Sequence, residues 1–269
     1  MTLDLARTVA DAVLYEGYLL YPYRATSAKN QARWQFGVLG PPGAAEAGIG
    51  EESTMSVECL LRRAGGNGSR DDLPRPTVAV YLRFLQLQHR GVERLDPADP
   101  NRYVPAGELL LDDHLLLSWD EAVDHELSWQ ASTFDELADG VRQTVTVPGA
   151  EVVELLTAAD GTVIGRVVRR RWPLTAVMTA ETAESDGYLR LRITVENTTH
   201  AAPRTKDDAV RRSLLGAHLL LEVSGTGFVS LLEPPDAAAA SAAAACRQHR
   251  CWPVMAGPPG ADTVVLASP

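Results

Sequence analysis

The chain has 269 residues, of which 45% are apolar and 22% charged, with a formal net charge of −10. That composition can bury a real core, while the acidic balance disfavours nucleic acid, whose phosphates call for a basic face. Three cysteines do not make a secreted disulfide framework, and no apolar run approaches the roughly 20 residues of a membrane-spanning helix.

Residues 2–12 read as a short helix. Asp4, Arg7 and Asp11 break up its apolar residues, so it lacks the uninterrupted core of a signal peptide, and the cytoplasm is the expected compartment. Residues 13–39 follow, VLYEGYLLYPYRATSAKNQARWQFGVL. Six of the sixteen aromatics lie between Tyr15 and Phe36, together with Arg24, Lys29, Asn30 and Arg33. Tyr15, Tyr21 and Tyr23 share one face of a strand and Tyr18 takes the other. A polar loop runs from Arg24 to Arg33 before Trp34 and Phe36 restart a strand. Tyrosine, tryptophan and arginine are the residues enriched at binding hot spots. Two readings stay open here. In one, Tyr21, Tyr23, Arg24, Lys29, Asn30, Arg33 and Trp34 form a binding face; in the other, the rings fill the core and the arginines cap it.

Thr77–His89 is apolar on both faces, which predicts a central strand between two layers. In residues 115–129, Ser118 and Glu121 have the spacing of a helix capping box. Yet Leu115, Leu117, Trp119, Val123, Leu127 and Trp129 all fall on odd positions, and a strand fits them better. Asp160-Gly161 and Asp186-Gly187 each predict a hairpin turn. After the second, Leu189, Leu191, Ile193 and Val195 alternate with polar residues over Tyr188–Glu196, the pattern of a strand with one buried face. His218–Val223 and Gly227–Leu232 read as another hairpin around Ser224-Gly225-Thr226. Asp236 is placed to cap an alanine-rich helix over 237–247. Residues 40–53, 64–76, 96–107 and 199–210 read as loops. No repeat or composition shift divides the chain, so the expectation is an all-β protein: a single antiparallel β-sandwich, jelly-roll-like, with one or two short helices over residues 1–269.

No P-loop, dinucleotide fingerprint or nucleophile elbow occurs. Cys246, His249 and Cys251 offer thiolate and imidazole, but a structural zinc needs four ligands, and Cys59 and His218 would have to converge on them. Without that convergence neither metal nor cofactor is expected. Asp120 and Glu121 are the carboxylates that a sugar- or small-molecule-active β-sandwich enzyme would use, and glycoside chemistry requires two such groups roughly 5–10 Å apart. The arginines at 169–171 read as solvated strand or loop residues.

The first motif, taken with Glu58-Cys59-Leu60, with Phe228-Val-Ser-Leu-Leu232 and the Glu-Pro-Pro after it, and with Trp252-Pro-Val254, resembles a family of proteins encoded beside actinobacterial-type nickel–iron uptake hydrogenases. The likeness covers most of the chain. That family carries no established activity, so the resemblance hands over no catalytic residue. It implies a non-catalytic accessory or assembly protein whose partner is a hydrogenase subunit or maturation factor. Family members continue past the segment matching Val264–Pro269, which implies a chain shortened at its C-terminus. The Cys-His-Cys triplet departs from the family pattern.

Overall fold

The computed structural model describes residues 2–12, 36–63, 75–200 and 202–269. They form two packed antiparallel sheets, an all-β sandwich. The first sheet runs in the spatial order Phe228–Val229 (β13), Thr54–Leu61 (β1), Tyr188–Asn197 (β11), Leu174–Ser185 (β10) and Val141–Val147 (β7).

The second sheet is organised by Thr77–Asp96 (β2), a strand of 20 residues. Its first half lies between Leu215–Ser224 (β12) and Trp119–Thr133 (β6). Beyond β12 come Val264–Ser268 (β15) and Trp252–Met255 (β14). Its second half lies between Asp99–Ala106 (β3) and Val163–Arg171 (β9), with Ala150–Thr157 (β8) outside β9. Glu108–Leu111 (β4) and His114–Leu117 (β5) make a separate hairpin.

Side-chain alternation decides what each face meets. In β11, Leu191, Ile193 and Val195 are fully buried and Leu189 packs against them at the strand's entrance. Opposite lie Val78, Val80, Leu82 and Phe84 of β2 in the same core. The other face of β2 presents Leu85 and Leu87 to Ala6 and Ala10 of the helix Thr2–Ala10 (α1). A strand apolar on both faces thus finds cover on both, as a central strand must. The turn into β11 uses Asp186 at φ 49° and Gly187 at φ 84°, the left-handed pair that a tight hairpin demands.

Three expectations are corrected. The prolines at 100 and 105 read as loop residues, but they sit in β3, which among the described residues pairs only with β2 and so needs no donor on its outer side. Within 199–210, Thr205 caps a short helix, Lys206–Val210 (α2), its side chain accepting from the Asp208 amide. The hairpin expected around Gly225 is a crossover. β12 already has β2 and β15 on its two edges, so Phe228 and Val229 pair instead with Leu61 and Leu60 of β1 in the other sheet. The alanine-rich helix is present as Ala237–Ala245 (α3), with Asp236 accepting from the Ala239 amide and the Tyr188 hydroxyl at its start. Ala239 and Ala242 pack on Leu60 and Val229. No helix among the described residues is long and apolar enough to cross a membrane.

The β4–β5 hairpin lies on β9 and the second half of β2 through Leu109, Leu111 and Leu116, against Val92, Leu156 and Val167. Gly165 makes this approach possible: a Cβ there would stand 2.4 Å from the Glu93 carbonyl oxygen and 2.7 Å from Leu109 Cδ2. The Glu93 contact is to backbone and cannot swing aside. Gly165→Ala is therefore expected to destabilise the fold by about 2 kcal/mol, the usual cost of overpacking, read as a lower urea midpoint. An unchanged midpoint would mean that the hairpin is not seated on this strand.

Candidate functional site

Tyr21, Tyr23, Arg24, Lys29, Asn30, Arg33 and Trp34 lie outside the described residues, as do Tyr15 and Tyr18. The same aromatic segment ends at Phe36, which is described, and which stands 68% exposed. Phe36 and Gly37 are tied to β12 by their carbonyls, which accept from the amides of Gly216 (3.2 Å) and Ala217 (2.8 Å). Across from them Trp252 projects from β14 and is 53% exposed. Phe36, Gly37, Leu39, Met55, Arg250, Trp252 and Pro269 line a groove of about 210 Å³. Arg250 forms one side and donates to the carbonyls of Val38 and Glu52, both at 2.9 Å, and to Glu51 at 3.2 Å. The groove therefore offers two rings on hydrogen-bonded backbone beside a guanidinium held in place.

Two later segments of the chain pair with β1. Leu60 pairs with Val229, and Ser56 exchanges two 2.9 Å backbone hydrogen bonds with His249. Glu58, only 6% exposed, accepts from the Arg247 amide at 2.7 Å, and its carbonyl accepts from the Gln248 side chain at 2.8 Å. Arg190 and Arg192 stand 3.9 Å from its carboxylate. The loop after α3 is thus pinned onto β1 just before the chain enters β14.

That pinning separates the Cys-His-Cys triplet. His249 turns outward to Glu52 at 2.9 Å. Cys251 is buried in the sandwich core with Cys59, and burial pushes its thiol up to about 12. Burial likewise raises the pKa of Cys59, and also that of Cys246, which lies against the Ala242 carbonyl. His218 lies in β12. Among the described residues no three His, Cys, Asp or Glu side chains are placed to hold a metal ion.

Asp120 and Glu121 are successive residues of β6 and point to opposite faces, so they do not converge. Asp120 pairs with His89 at 2.7 Å. On the other face Glu121 accepts from Gln88 at 2.8 Å and pairs with Arg90 at 3.1 Å, with Arg169 3.7 Å away. The arginines at 169–171 are not merely solvated: Arg169 also pairs with Glu154, and Arg170 with Glu151 on the opposite face. His125 lies on the inner face, tilted against Phe84 with ring centroids 5.4 Å apart and its Nε2 3.0 Å from Gln86 Oε1.

One polar cluster escaped the sequence reading. On the face of the second sheet under α1, Arg83 is only 7% exposed and pairs with Asp11 at 2.7 Å and Glu126 at 3.1 Å. Arg7 of α1 holds the same Glu126 through two bonds, of 2.6 and 3.0 Å, and lies over the Tyr81 ring. His218, fully buried, faces Arg83 across the β12–β2 pairing. Its sequence signal is an arginine and a histidine standing alone at alternate positions of apolar strands.

No protein-family model matches this chain, and no curated protein matches it either. The fold and the groove together define a β-sandwich protein that presents a half-exposed aromatic groove.

Proposed function

We propose that this is a non-catalytic accessory or assembly protein that docks on a protein partner through the Phe36–Trp252 groove and the aromatic, cationic segment leading into it. The observation that carries this reading is the groove itself: two large rings are exposed on an anchored frame, where ring burial in a partner contributes most to binding. The dispersal of Cys246, His249 and Cys251 and the opposed directions of Asp120 and Glu121 fit a docking role better than chemistry. The family resemblance supplies the partner class, a nickel–iron hydrogenase subunit or one of its maturation factors. The partner would place an apolar side chain between the rings and an acidic group near the cations of residues 24–33.

The test uses the purified chain against each purified hydrogenase subunit and maturation factor. Trp252→Ala and Arg33→Glu are each expected to weaken binding by about 2 kcal/mol, roughly 30-fold. Trp252→Ala should leave the melting temperature nearly unchanged, because the ring is half out of the fold. Unchanged affinity in both variants, or no binding by the wild type to any of these proteins, would overturn the proposal.

A further inference from the structure

Arg171 closes β9 on the inner face of the second sheet, opposite Gln88 of β2 and Ala150 of β8. Among the described residues its guanidinium has no ion pair, and its Nε is buried with no acceptor. The side chain is only partly covered. A half-buried guanidinium is normally paired, because removing it from water is costly. The other arginines around it have partners. Arg90 is paired with Glu121, and Arg169 with Glu121 and Glu154. Glu121, the carboxylate across Gln88 from Arg171, is therefore engaged by other groups.

The neutral groups beside Arg171 add no negative charge. Gln88 gives its amide to Glu121, and Gln86 gives its own to the carbonyls of Trp172 at 2.7 Å and Pro148 at 3.3 Å. His125 has its pKa lowered, first by burial and then by the Arg171 charge, so it is neutral at pH 7. The histidine therefore supplies no counter-charge to Arg171.

We propose that Arg171 anchors a small oxyanion, the carboxylate or phosphate group of a small-molecule ligand, at this inner face of the second sheet. The guanidinium fork matches such a group with two parallel hydrogen bonds, which a point cation would not do. The site is separate from the Phe36–Trp252 groove, being built from different strands.

The experiment titrates the full chain with inorganic phosphate and, separately, with succinate, each at constant ionic strength set by potassium chloride. At least one of the two is expected to raise the melting temperature saturably, by about 3 °C at a tenfold excess over its Kd. The two arms tell phosphate from carboxylate recognition. Arg171→Gln should abolish the rise, and Arg142→Gln, an exposed change elsewhere, should keep it. If Arg171→Gln does not fold, the Nε–H resonance of Arg171 in the wild-type chain is followed through the same titrations. No saturable rise with either anion, an equal rise in Arg171→Gln, or an unmoved Arg171 resonance would overturn the proposal.

Discussion

Asn197→Ala is expected to destabilise the protein by about 3 kcal/mol. Asn197 is fully buried at the end of β11 and uses its whole amide. Its Nδ2 donates to the carbonyls of Leu39 and Arg212, both at 2.8 Å, and its Oδ1 accepts from the Thr199 amide at 2.9 Å. Each buried hydrogen bond contributes about 1 kcal/mol, and orphaning its partner costs at least as much. Leu39 keeps its bond from the Leu214 amide, which limits the loss on that side. Asn197→Asp should be worse, because a carboxylate cannot donate to two carbonyls and would carry charge into the core. Urea unfolding measures both changes. A loss under about 1 kcal/mol for alanine would mean that water replaces the amide. Leu39 also lines the aromatic groove, so the same variant should weaken partner binding if docking occurs there.

The second large effect is on pH dependence. Burial, helped by the Arg83 charge, lowers the pKa of His218 to about 4 from its ordinary 6.5, although its Nδ1–H donates to the Gly216 carbonyl at 2.8 Å. Above pH 6.5 the residue is neutral in both folded and unfolded chains, and its contribution is fully present. Between pH 6.5 and 4 the unfolded chain takes up a proton that the folded one refuses, so stability falls as pH falls. Below about pH 4 this contribution is gone. The total is about 3 kcal/mol, at 1.36 kcal/mol per pH unit. His125, also lowered by burial, acts with the same sign. His218→Asn should flatten the stability profile between pH 6.5 and 4 without steepening it elsewhere. An unchanged slope would place the acid sensitivity in other groups.

How much of this was legible can be judged element by element. The alternation of Leu191, Ile193 and Val195, the two apolar faces of β2, the Asp186-Gly187 turn and the Asp236 cap were all readable. Each depends on residues within one strand or one turn. The β12–β13 crossover was not readable, because the turn residues at 224–226 suit either a hairpin or a crossover. What decides is whether β12 has a free edge, and β2 and β15 occupy both. The prolines of β3 misled for a related reason: only the pairing pattern reveals that they lie on an outer edge.

The candidate sites divide along the same line. The aromatic concentration that ends at Phe36 is visible in the composition of one short segment. That Trp252, more than two hundred residues later, faces the same groove is not, since the loop from α3 must first be pinned to β1 through Glu58 and Ser56. Arg171, Arg83 and His218 look alike in sequence, each a polar residue beside apolar strand positions. Their neighbours separate them: Arg83 meets two carboxylates, His218 is sealed in neutral form, and among the described residues Arg171 has no carboxylate paired with it.

By itself the sequence determined the period-2 strands, the tight turns and the helix caps, because these follow from backbone sterics and from hydrogen bonds a few residues long. Only the tertiary structure decided which strands share an edge, which face of each meets a second layer, and which charges are left to seek partners. Those outcomes depend on the burial of apolar area and the desolvation of charge, and both are set by groups far apart in the chain.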